Sequence, residues 1–157
     1  MKNKDVYILL GTNLGDREFN LLRAIDKINQ GIGAVVACSS VLETEPWGFE
    51  AEQNFLNQAL KIECDCSPHD LLLSLKSLEN ELGRAAKTKK EYESRLIDID
   101  ILFFNEQVVN LPDLVIPHPQ IQCRYFALKP LCEIASTYIH PLLGKTIETM
   151  LNEIASS

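Results

Sequence analysis

Neither of the glycine-rich cradles that usually announce a nucleotide site occurs in this 157-residue chain: it has no G-x-x-x-x-G-K-S/T stretch and no G-x-G-x-x-G. A nucleotide bound here needs other groups to neutralise its phosphates. No C-x-x-C pair accompanies the five cysteines and no histidine sits at finger spacing, which argues against a zinc module. The cysteines then read as reduced thiols in or near the core. Long apolar runs are missing too. Val6 to Leu10 and Ile101 to Phe104 are among the longest, far from the roughly 20 residues that span a bilayer. The charged Met1–Asp5 start has no apolar signal region behind it, because Gly11 to Arg17 is polar, so the cytoplasm is the expected location. Positive charge is scarce, with 15 Lys and Arg against 22 Asp and Glu and a net charge of −7. That disfavours a general nucleic-acid binder, whose affinity comes from cations meeting phosphates.

What is present is an ordinary globular composition, 46% hydrophobic, in a length that fits a single domain over residues 1–157. Val6–Leu10 reads as a buried strand. Asp16 can cap a helix with an apolar face of Leu21, Leu22, Ile25 and Ile28, stopped by Gly31 and Gly33. Ala34 to Leu42 reads as a strand, Thr44 to Asn54 as a loop, and Phe55 to Cys64 as a strand. Ser67-Pro68-His69-Asp70 is a strong helix start before the stripe Leu71, Leu72, Leu75, Leu78, Leu82, with Gly83 as the stop. Leu96 to Phe104 is the clearest strand. Pro112, Pro117 and Pro119 punctuate an irregular stretch, Tyr125 to Ala135 reads as a helix broken near Pro130, and Thr146 to Ile154 as a short final helix. The order β-α-β-β-α-β over the first 104 residues is the ferredoxin-like split βαβ arrangement, an α/β (α+β) class with an antiparallel sheet and helices packed on one face.

Three groups of residues carry chemistry. On the strand Arg95-Leu-Ile-Asp-Ile-Asp-Ile-Leu-Phe103, alternation turns Ile97, Ile99, Ile101 and Phe103 one way and Asp98 and Asp100 the other, about 6–7 Å apart at the backbone. Two adjacent carboxylates on a strand need compensation. A hard divalent cation such as Mg²⁺, shared with phosphates and waters, provides it; a salt-bridged face using Arg84 or Arg95 provides it equally well. The run Arg84, Lys87, Lys89, Lys90, Arg95 favours metal plus phosphate, since such side chains and Mg²⁺ neutralise transferring phosphoryl groups. The second group is Thr44-Glu45-Pro46-Trp47-Gly48 with Asn54-Phe55-Leu56-Asn57. An aromatic beside amides suits a flat heteroaromatic ligand, although alone it is better explained by Trp47 covering a core edge and Asn57 starting a strand. The third is Pro117-His118-Pro119 with Arg124 and Phe126, a rigidly placed histidine that could meet phosphate or cap a turn.

Together, Gly11-Thr-Asn-Leu-Gly-Asp-Arg17, the Thr44–Gly48 and Asn54–Asn57 segments, Glu79 with Gly83-Arg84, Arg95–Leu102, and Pro117-His118 with Arg124 and Phe126 resemble the 6-hydroxymethyl-7,8-dihydropterin pyrophosphokinases of folate biosynthesis, from about Val6 to Leu131. The resemblance implies the ferredoxin-like fold and transfer of pyrophosphate from ATP, the co-substrate, to the pterin hydroxyl, releasing AMP. It implies two Mg²⁺ ions on Asp98 and Asp100. It implies pterin binding by Thr44, Glu45, Trp47 and Asn57, with Phe55 and Phe126 sandwiching the ring. It implies ATP contacts from Glu79, Arg84, Lys87, Arg95, Ile101, His118 and Arg124, with Arg84 and Arg95 serving catalysis. The chain departs from the family where a second Arg is usual, at Ala86, and where Trp-Gly-Pro is usual, at Tyr92-Glu93-Ser94. The small molecules ATP and the pterin are the expected partners of a monomer, with no nucleic acid and no membrane. A ferredoxin-like sensor that binds nucleotide or metal without catalysis is the rival class; it needs only one of the two sites. An RNA-binding sheet would want exposed strand aromatics and a basic surface.

Overall fold

A computed structural model describes residues 2–45, 53–83 and 96–155. The elements are β1 (Asn3–Thr12), α1 (Arg17–Gly31), β2 (Ala34–Cys38), β3 (Leu42–Thr44), β4 (Phe55–Cys64), α2 (Pro68–Gly83), β5 (Asp98–Phe104), the hairpin β6 (Val109–Leu111) and β7 (Leu114–Ile116), α3 (Tyr125–Ala135) and α4 (Ile147–Ala155). The main sheet runs β2-β4-β1-β5, with β3 also on β4, and every pairing in it is antiparallel. This is the βαββαβ order expected from the sequence, with β1 and β4 central.

Local chemistry sets the helix starts. The Asp16 carboxylate accepts from the Phe19 N–H at 3.1 Å, and the Ser67 hydroxyl from Asp70 N–H at 3.2 Å, satisfying donors that have no partner within the helix. Leu21, Ala24 and Ile28 of α1 and Leu71, Leu75, Leu78 and Leu82 of α2 bury against Val6, Ile8, Leu10, Leu60 and Ile62. Both helices of the repeat thus share one face, as expected. Helices α3 and α4 add a second layer, packing Ala127, Leu128, Leu131, Ile147 and Met150 on Tyr7, Leu9, Ala59 and Phe103 of the other face.

Several expectations need correction. Leu22 is 67% exposed; at 100° per residue it falls off the stripe, and Ala24 takes its place. Residues 34–42 form two strands, because Ser39 turns aside: its hydroxyl accepts from Ala59 N–H at 2.9 Å and its carbonyl from Gln58 Nε2 at 2.8 Å. Residues 109–116 form a hairpin. Helix α3 continues through Pro130, since proline's fixed φ suits a helix and burial of Pro130 and Leu131 outweighs one lost hydrogen bond. Phe103 leaves the isoleucine face. Tyr7 pairs with Phe103 but Ile8 with Ile101, so a bulge at Leu102 reverses the alternation. All five cysteines are free thiols, yet Cys38 and Cys123 are exposed rather than in or near the core.

Candidate functional site

At one end of the second face, Asn57, Gly11, Asp100 and Asp98 lie outside the apolar cluster under α3 and α4. Gly11 near the end of β1 is paired with Asn57 on one side and Asp98 on the other, and Asn57 is paired with Leu42. Directly opposed residues of an antiparallel sheet project to the same side. One row at this end therefore carries Leu42, Asn57, Gly11 and Asp98. One step along, Leu9 stands between Ala59 and Asp100.

Asp98 and Asp100 are exposed, while Ile97, Ile99 and Ile101 between and beside them are buried against α1 and α2. β5 is the sheet edge, and the Ile99 N–H turns away from β1 to donate to Glu79 Oε2 of α2 at 2.8 Å. By alternation the Ile101 backbone also faces outward, while its side chain lies in the core. His118 follows β7. Its backbone N–H donates to Leu102 O at 3.0 Å, tying it to the bulge on β5. Its Nδ1 accepts from Gln120 N–H at 3.3 Å, which leaves the proton of the neutral ring on Nε2. Burial holds its pKa below the ordinary histidine value; the Asp100 carboxylate opposes this and the Arg124 guanidinium adds to it. Arg124 donates to Gln120 Oε1 at 2.5 Å and stacks over the half-buried Phe126 ring, 5.5 Å from its centre. Asp100, His118 and Arg124 are thus neighbours, and Phe126 lies beside them.

On the other flank, both amide hydrogens of the buried Asn57 are engaged, by Leu42 O at 3.1 Å and Thr44 Oγ1 at 2.9 Å. The expectation that Asn57 both donates and accepts narrows to one acceptor, Oδ1, on the Gly11 side. Phe55 pairs with Thr44 and shares Asn57's face. Glu45 is exposed just beyond β3. Trp47, Arg84, Lys87 and Arg95 lie outside the described residues.

Two supports were not singled out in the sequence. Arg17, at the start of α1, donates to Asn54 O at 2.9 Å and lies 3.5 Å from Glu43, bracing the ends of β3 and β4. The buried Thr12 hydroxyl donates to Leu96 O at 2.5 Å, fixing the approach to β5. The polar run after Gly11 was the available signal for both. A shallow hollow between α1 and α2, lined by Lys27, Ser74, Ser77 and Glu81, lies on the opposite face and offers only a 3.7 Å ion pair.

The carboxylate pair fits a hard divalent cation. Mg²⁺ takes one or two carboxylates and completes its shell with phosphate oxygens and water. Among the described residues no group of three His, Cys, Asp or Glu converges.

An α+β sheet that carries a carboxylate pair, a histidine of lowered pKa and a half-buried aromatic at one end has the residue types of a transferase for small, charged ligands. The 7,8-dihydro-6-hydroxymethylpterin-pyrophosphokinase family model matches residues 7–136, and the chain belongs to that family. It is 40% identical to the 2-amino-4-hydroxy-6-hydroxymethyldihydropteridine pyrophosphokinase of Aquifex aeolicus, covering 91% of this chain and 88% of that one. The corresponding Bacillus subtilis protein is also 40% identical, with 84% and 78% covered. A folic acid synthesis protein of Pneumocystis carinii is 38% identical over 97% of this chain, which spans only 20% of that longer protein. The fold matches a crystal structure of wild-type Plasmodium falciparum HPPK-DHPS with pteroate at TM-score 0.76 and 18% identity, over 99% of this chain and 43% of that one.

Proposed function

We propose that this chain catalyses its family's reaction in folate biosynthesis, passing pyrophosphate from ATP to 6-hydroxymethyl-7,8-dihydropterin at this end of the sheet. The supporting observation is the cross-strand row that carries Asn57, Gly11 and Asp98 on one face, an amide acceptor and a carboxylate on either side of a bare backbone. A binding-only sensor needs one half of this row, not both.

In this reading Asn57 Oδ1 accepts from an N–H of the pterin edge. Thr44 and the Glu45–Trp47 backbone complete that edge, and Phe55 and Phe126 flank the ring. Asp98 and Asp100 hold the divalent cations, two in the family pattern, which when bound neutralise the triphosphate. His118, as its Nε2–H tautomer, and Arg124 donate to phosphate oxygens. Glu79 and the outward Ile101 backbone receive the nucleoside, and Arg84, Lys87 and Arg95 clamp the phosphates. The pterin hydroxyl oxygen forms a bond to the β-phosphorus, the bond from that phosphorus to the bridging α-phosphate oxygen breaks, AMP leaves, and the hydroxyl proton goes to solvent. Little proton chemistry is demanded, so alignment and charge neutralisation carry most of the rate. The reading extends to one domain acting as a monomer in the cytoplasm; no helix among the described residues is long and apolar enough to cross a membrane.

Incubation with Mg²⁺, ATP and hydroxymethyl-dihydropterin tests it. AMP should appear one-for-one with pterin diphosphate and only when pterin is present. ADP instead of AMP, or AMP release that ignores pterin, rejects it.

A further inference from the structure

Glycine in a strand paired on both sides, as Gly11 is near the end of β1, costs stability, up to roughly 0.5–1 kcal/mol relative to alanine, and needs a local reason. Two other glycines have one. A Cβ on Gly33 would stand 2.7 Å from Glu63 O, and Gly15 has φ +63. Gly11 has neither reason. Its φ is not in the left-handed region, and a Cβ there would meet only Asn57 Oδ1, at 3.7 Å, among the described residues. That is ordinary van der Waals contact. Its backbone and its described neighbours would accept alanine.

The register says what the added methyl would occupy. It would rise from β1 on the shared face, between Asn57 on β4 and Asp98 on β5, whose backbones stand two strand spacings apart, roughly 10 Å. This is the interval between the group proposed to hold the pterin and the group proposed to hold the metal-bound phosphates. We infer that Gly11 is a positioning residue for the transfer: its missing side chain leaves the gap in which the hydroxymethyl arm of the pterin meets the β-phosphoryl group. The inference rests on the proposed function and adds a residue to it. A methyl in the gap leaves each substrate its own contacts but holds the oxygen and phosphorus apart. Displacement of about 1 Å from attack geometry is enough to cost about 100-fold in rate.

The test is Gly11→Ala with Gly11→Val as the larger step, measured by melting, by calorimetric binding of each substrate alone, and by steady-state AMP release. Gly11→Ala should melt at or above the wild-type temperature and bind pterin alone and Mg-ATP alone within a few-fold of wild type. Its kcat should fall by about 100-fold, with Gly11→Val lower still. Wild-type kcat in Gly11→Ala overturns the inference. So does loss of pterin binding, which would make Gly11 part of the pterin floor, and so does unfolding, which would mean that packing requires the glycine. A wild-type protein that releases no pterin-dependent AMP is a different failure, that of the proposed function itself.

Discussion

The two faces of the sheet are built from the same strands and do opposite things. One is mostly apolar, with Thr12 and Gln58 its polar members at the end of β1, and is covered by α1 and α2. The other is apolar only under α3 and α4; past Leu9 and Ala59 it turns to Asn57, Gly11, Asp100 and Asp98. β5 shows the contrast within a few residues, with Ile97, Ile99 and Ile101 buried while Asp98 and Asp100 are exposed. Packing supplies rigidity on one side; at one end of the other, among the described residues, the polar row lies outside the packed cluster and forms the candidate site. Substitutions on the two faces should therefore separate activity from stability.

The largest separation is expected at the carboxylates. Asp98→Ala or Asp100→Ala should lower turnover by about 10²–10³-fold, as for removal of one preorganised charge partner, with a melting curve close to wild type. Near-normal turnover at low Mg²⁺ would break the contrast from the functional side. Leu75→Ala, at a site 1% exposed on the covered face, should do the reverse. It should cost about 2–5 kcal/mol in denaturant unfolding while the folded fraction keeps its kcat. A smaller effect belongs to Asn57→Ala, which removes an acceptor and two internal donors. It should raise the KM for pterin roughly ten-fold, about 1.4 kcal/mol, and leave the KM for ATP alone.

The smallest effect is in pH dependence, and it comes from the packed part of the second face. His140 is 4% exposed, and its Nδ1 accepts N–H groups of Leu142 and Leu143 at 3.1 Å each. Burial lowers its pKa. The folded protein then binds fewer protons than the unfolded chain, so stability is full above the ordinary histidine value near 6.5 and is lost as pH falls from there through the lowered value. His140→Asn keeps a side-chain acceptor without titrating, and should flatten that part of the stability profile. An unchanged profile would remove His140 from the account.

Much of this was legible in the chain because it depends on short-range geometry. Period 2 put Asp98 and Asp100 on one side and the isoleucines on the other. The Asp16 and Ser67 starts were legible for the same reason, since a cap acts within its own turn. What was hidden depends on partners distant in sequence. The bulge at Leu102 exists only in the register against Tyr7 and Ile8, so Phe103 could not be assigned its face from alternation alone. The second helix layer depends on where α3 and α4 dock, and the continuous run through Pro130 depends on burial that propensity does not contain. Of the candidate site, the carboxylate pair and Asn57 were visible as residue types. Their common row through Gly11, the brace from Arg17 and the restriction of Asn57 to an acceptor needed strand pairing and hydrogen bonds. Trp47 and the basic run from Arg84 to Arg95 lie outside the described residues, so their part in the site stays a proposal from sequence.

The most direct measurement is the product ratio of wild type beside the double variant Asp98→Asn with Asp100→Asn, at saturating Mg²⁺, ATP and hydroxymethyl-dihydropterin. The account predicts equal amounts of AMP and pterin diphosphate from wild type, and neither from a double variant that melts like wild type. Substantial AMP from the folded double variant, or ADP from wild type, would contradict it.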